Sequence, residues 1–112
     1  MNLQGTATLL SIYIGDDDHL AGKPLAATIV ARAKKDGMAG ATVTHGSLGF
    51  GATSRNHATN ALRLSSDLPT VVQIIDTPER IAEFMPAVRE MVKVGLITTE
   101  SVNVEFYAAK PH

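Results

Sequence analysis

The largely apolar run Ala7–Ile14 is rich in β-branched residues and places Leu10, Ile12 and Ile14 on one side and Leu9, Ser11 and Tyr13 on the other. This predicts a strand, ended by Gly15. Asp16-Asp17-Asp18-His19 then reads as a polar, acidic loop. The period changes after Pro24, where Ala26, Ile29, Val30 and Ala33 recur at helical spacing. Pro24 suits the first helical position, Lys34 and Lys35 the last turn, and Gly37 the C-terminal cap. A second strand is expected over Gly40–His45, where Ala41, Val43 and His45 alternate with Thr42 and Thr44. Leu62-Arg63-Leu64 reads as a short extension of it, and Thr70–Asp76 as a third strand. Thr77-Pro78-Glu79 starts a second helix with a hydroxyl cap, a proline at the first position and an acid in the first turn. Ile81, Phe84, Met85, Val88, Met91 and Val92 form its apolar stripe, and Gly95 stops it. Pro86 lies inside and removes one backbone donor, so a kink is expected there. Val102, Val104 and Phe106 against Asn103, Glu105 and Tyr107 give the last strand, and the chain after Lys110 is expected to be loose.

Strand, helix, strand, strand, helix, strand is the split βαβ order. It predicts a single α+β domain over residues 1–112, a ferredoxin-like βαββαβ sandwich with both helices on one face of an antiparallel sheet. Two helices cover one sheet face. The third strand is nevertheless apolar on both sides (Val72 and Ile74; Val71 and Ile75), and the first offers Leu9 and Tyr13 on its second side. Apolar sheet surface of that kind marks an interface, so a homo-oligomer is expected.

Composition narrows the function. The net charge of −1 argues against a nucleic-acid binder that neutralises many phosphates. No run approaches the roughly 20 apolar residues of a membrane span, and no basic-then-apolar leader is present. A cytoplasmic protein is therefore expected. The absence of cysteine rules out disulfides, thiolate metal sites and a cysteine nucleophile.

The candidate chemistry gathers between the second and third strands, over roughly 46–69. Loops beyond about 12–15 residues are uncommon in compact domains unless they have a task. Gly46, Gly49 and Gly51 are interleaved with Ser47, Thr53, Ser54, Arg55 and His57, and no Asp or Glu occurs from Gly37 to Ser66. N–H groups, hydroxyls and a guanidinium are all donors, which suits an anion. Phe50, between two glycines, reads as a plug into a neighbouring subunit ahead of a base-stacking platform.

Several sharper readings fail on spacing. Gly15 to Gly22-Lys23 has six intervening residues where a P-loop has four, and Pro24 stands where the magnesium-ligating hydroxyl belongs. Ser54 and His57 lack a nucleophile-elbow glycine pattern and a nearby acid, so no enzyme activity is expected. His45 with His57, or Asp16–Asp18, would be the donors for a metal.

Ile12-Tyr13-Ile14-Gly15, Gly22-Lys23-Pro24-Leu25 and Gly37-Met38-Ala39-Gly40-Ala41-Thr42-Val43 together resemble the family known as domain of unknown function 190. So do Gly49-Phe50-Gly51-Ala52 with Ser54-Arg55 and His57, Leu64-Ser65 with Asp67-Leu68-Pro69, and Met91-Val92-Lys93 with Gly95-Leu96. The resemblance runs in family order from about Leu9 to Tyr107. It implies a PII-like subunit in a homotrimer, with ligand clefts between subunits and the 46–57 loop as counterpart of the partner-contacting T-loop. The Met91–Ser101 turn would correspond to the region of the nucleotide-binding B-loop. Here Lys93-Val94-Gly95-Leu96-Ile97-Thr98-Thr99 replaces the glycine- and lysine-rich phosphate loop of true PII, and a C-terminal arginine pair is missing.

The expected function is regulatory. A small anionic metabolite or nucleotide, with adenine nucleotides first, would be held by Gly46, Gly49, Gly51, Ser54, Arg55, His57, Lys93 and Thr98, and would act on a protein target through the 46–57 loop. The alternatives are a divalent-metal-binding trimer resembling the cation-tolerance proteins and a structural assembly without effector.

Overall fold

A computed structural model describes residues 3–52 and 68–111. The described elements are β1 (Gly5–Gly15), a small hairpin of β2 (His19–Leu20) and β3 (Lys23–Pro24), α1 (Leu25–Lys35), β4 (Ala41–His45), β5 (Pro69–Asp76), α2 (Pro78–Met91) and β6 (Leu96–Val104). Four strands form one sheet in the order β4-β5-β1-β6, with every neighbouring pair antiparallel. The architecture is α+β, an antiparallel sheet with two helices, and is compatible with the ferredoxin-like sandwich.

Strand alternation decides what is buried. Leu10, Ile12 and Ile14 of β1 and Val72 and Ile74 of β5 point to the helices and are buried with Ile29, Ile81, Phe84 and Val88. Burying one such side chain contributes roughly 1.5–3 kcal/mol. The opposite face is open. Ser11 and Gln73 meet there through a 3.3 Å hydrogen bond, flanked by exposed Tyr13, Ile75 and Leu96.

The helix ends follow local chemistry. Gly37 takes the left-handed φ of 74° that glycine adopts without strain. Its N–H donates to the Lys34 carbonyl and that of Met38 to Ala33, which closes α1 as a Schellman motif. At the start of α2, the Thr77 hydroxyl accepts from the Arg80 N–H at 3.2 Å.

Four expectations change. Pro24 is the N-cap of α1 in extended conformation and belongs to the β2–β3 hairpin, so helix starts one residue later, where Leu25 N–H donates to the Asp18 carbonyl. The ladder begins at His19, directly after the turn of Asp16–Asp18. The last strand spans Leu96–Val104 and ends before Phe106, because its partner β1 dictates the pairing from Leu96↔Tyr13 to Val104↔Gly5. The Met91–Ser101 turn is therefore only a short connection before β6. Helix α2, with Pro86 inside it, ends at Met91 with Val92 as its cap, before Gly95 is reached. Leu62–Leu64 lies outside the described residues.

Candidate functional site

The Asp76 carboxylate holds the most connected polar cluster described. Asp76 is fully buried at the end of β5. It accepts from the N–H groups of Thr77 at 2.7 Å and Ala39 at 2.9 Å, and from Arg80 Nε at 3.2 Å. Arg80 Nη2 donates onward to the carbonyls of Asp36 and Gly37, both at 2.9 Å. This cluster joins the α1–β4 turn to the start of α2. With its hydrogen-bonding groups engaged within the protein, it serves structure rather than a ligand.

A different place collects unpaired charge. Arg89 near the end of α2 and Lys93 beyond it are four residues apart. They line a shallow pocket of about 380 Å³ with Met85, Val92, Gly95, Ile97 and Thr99. Among the described residues neither cation has an ion-pair partner. Gly95 lets the connection pass close to β1: a Cβ there would lie 2.8 Å from the Tyr13 carbonyl oxygen and 3.1 Å from Val92 Cγ1. Two cations, a hydroxyl and an apolar floor form an arrangement suited to a small organic anion.

The expected site residues fare differently. Lys93 stands in this pocket. Thr98 does not: Thr98 pairs with Ser11 and shares the open sheet face, and alternation turns Thr99 to the pocket instead. Gly46 donates its N–H to the Pro69 carbonyl at 2.7 Å and continues the β4–β5 ladder. A Cβ on Gly46 would meet Pro69 Cγ at 2.8 Å, and one on Gly49 would meet it at 3.2 Å, so both glycines let the loop lie against that ring. A Cβ on Gly51 would enter open space. Ser54, Arg55 and His57 lie outside the described residues. Phe50 is 80% exposed.

Arg89 and Thr99 were not anticipated. The four-residue spacing of Arg89 and Lys93 across the end of a predicted helix was the available signal. Thr99 needed the register with β1, because Thr98 and Thr99 are indistinguishable until one side of the strand is known to face the helices.

His45 also gains a setting. Its Nδ1 lies 3.2 Å from Asp16 Oδ1 and 3.3 Å from Thr70 Oγ1. The sheet order brings these together, since His45 pairs with Thr70 and Gly15 with Pro69. Among the described residues no group of three or more His, Asp or Glu side chains could hold a metal ion, and no helix is long and apolar enough to cross a membrane.

An antiparallel sheet carrying two helices, with a cation-lined pocket at the α2–β6 connection, defines a small α+β protein compatible with the ferredoxin-like class. Residues 7–104 match the family model described as "Uncharacterized ACR, COG1993", DUF190. The chain belongs to that family. It is 38% identical over 96 residues to a UPF0166 protein of Aquifex aeolicus, covering 86% of this chain and 90% of the relative. It is 31% identical over 99 residues to UPF0166 protein MJ1524 of Methanocaldococcus jannaschii, covering 88% and 91%. A further UPF0166 protein of Aquifex aeolicus is 29% identical over 96 residues, covering 86% and 94%.

Proposed function

We propose that this protein is a non-enzymatic, cytoplasmic, PII-like regulatory subunit that binds a small anionic effector, with adenine nucleotides the first class to test. The observation carrying this reading is the Arg89–Lys93 pair, two cations without an ion-pair partner among the described residues, beside Thr99 and a close-packed glycine. Arg89 would grip a phosphate in bidentate fashion, Lys93 would add a point charge and Thr99 a hydroxyl donor. Binding would act by favouring one arrangement of the 46–57 loop, which presents the pocket's state to a protein target.

The subunit is proposed to work as a homotrimer, with the effector between neighbours. The open sheet face supports association: Tyr13, Ile75 and Leu96 are 41%, 37% and 53% exposed and surround half-buried Val71. Sedimentation at micromolar concentration is expected to give a species near three times the 11.8 kDa subunit mass. A purely monomeric boundary would remove the assembly from the reading.

Calorimetry against ATP, ADP, AMP and cyclic AMP tests the effector directly. Heat is expected with at least one of them. Arg89→Ala with Lys93→Ala should weaken that binding by about tenfold or more, as expected when charge-assisted bonds are lost. Silence across the panel, or unchanged affinity in the double variant, would reject the site.

A further inference from the structure

A second concavity lies on the other side of the helical layer. It runs between α1 and the edge strand β4, with a volume of about 490 Å³, within the range of small-molecule pockets. Its walls are small and apolar: Ala26, Ala27, Val30 and Ala31 from α1 and Val43 from β4. Its polar atoms gather at one end, where Asp16, His45 and buried Thr70 line it. Among the described residues, no lysine or arginine lines it.

The hydrogen bonding at that end has a definite sense. The Asp16 carboxylate can only accept, so the imidazole nitrogen 3.2 Å from it, Nδ1, carries the proton. Thr70 Oγ1, at 3.3 Å, lies against the same nitrogen. In its neutral form, a ring with this tautomer has a lone pair on Nε2, and among the described residues Nε2 has no partner. Asp16 Oδ2 is likewise without a hydrogen bond there. The polar end therefore offers acceptors, beside a carboxylate followed in sequence by Asp17 and Asp18. A ligand matching it brings donors and positive charge, and the alanine-lined remainder asks for a compact apolar body.

We propose that the α1–β4 groove is a separate binding site for a small organic cation, an ammonium on a short apolar body, held by Asp16 and His45 and packed against Ala27, Ala31 and Val43. The site is opposite in charge preference to the Arg89–Lys93 pocket and does not depend on it.

Methyl NMR on the full chain tests this with phenethylammonium chloride as the probe. 2-Phenylethanol, phenylacetate and zinc chloride provide the neutral, anionic and metal arms. Saturable shifts of the Ala27, Ala31 and Val43 methyls are expected with the ammonium, and binding about tenfold weaker or worse with the alcohol. Asp16→Asn, at a side chain 48% exposed and so tolerated by the fold, should bring the ammonium down to the alcohol's level. Ala31→Leu, at an exposed helical position, should fill the groove and abolish the shifts while the unfolding midpoint stays near that of the parent. The proposal is overturned by ammonium shifts absent or unaltered in Asp16→Asn, by phenylacetate binding as well as the ammonium, or by zinc moving these methyls where the ammonium does not.

Discussion

Replacing Asp76 by alanine is expected to cost about 2–6 kcal/mol, at roughly 1–3 kcal/mol for each of two backbone donors left without an acceptor. Three donors converge on this carboxylate: the Thr77 and Ala39 N–H groups and Arg80 Nε. Alanine would leave all three without this acceptor, with the two backbone amides facing the space left by a fully buried side chain. Arg80 would keep its bonds to the Asp36 and Gly37 carbonyls, and as a partly exposed group it recovers some solvation. The loss therefore comes chiefly from the two backbone amides and from the turn before β4 coming untied. Urea unfolding measures it, with Thr77→Ala as comparison, where removing the cap should cost only roughly 1 kcal/mol. An Asp76→Ala protein as stable as Thr77→Ala would show that the carboxylate is not the clasp described.

Gly95→Ala carries the second large effect. The new methyl would sit 2.8 Å from the Tyr13 carbonyl oxygen, an atom held by the sheet and unable to swing away. Either the α2–β6 connection moves out or the pairing of Leu96 with Tyr13 opens. Overpacking of this sort costs about 1–3 kcal/mol. Because Gly95 also lines the Arg89–Lys93 pocket, effector affinity should fall together with the melting temperature. Gly51→Ala, where a Cβ meets nothing, should leave the melting temperature close to that of the parent. Gly95→Ala melting with the parent protein would show that the connection is looser than its contacts imply.

Much of the framework is readable from local pattern, for identifiable reasons. Thr77-Pro78-Glu79 states its own cap, and Gly37 states the Schellman end of α1, because both depend on residues adjacent in sequence. The central strands β1 and β5 are apolar enough to declare themselves. Strand β6 conceals its first half: Thr98, Thr99, Glu100 and Ser101 are exposed at a sheet edge, where no burial enforces alternation. Only pairing with β1 defines that half, and with it which threonine faces the cations. Gly46 carries a structural constraint that the sequence hides for a related reason. A glycine beside hydroxyls and cations reads as a ligand cradle, yet its amide and its missing side chain both answer to Pro69, more than twenty positions along the chain. The closeness of His45 to Asp16 was hidden likewise, because it follows from sheet order and no spacing encodes it.

The pairing of β1 with β6 has a consequence for biosynthesis. Among the described strands, the one made first lies inside the sheet, and one of its two neighbours is the one made last. Contacts of such wide sequence separation form slowly. While the polypeptide emerges from the ribosome, the Gly5–Tyr13 backbone must wait with one row of amides and carbonyls bare until Leu96–Val104 arrives. A nascent chain in that condition is a ready template for a stray strand until β6 pairs with it.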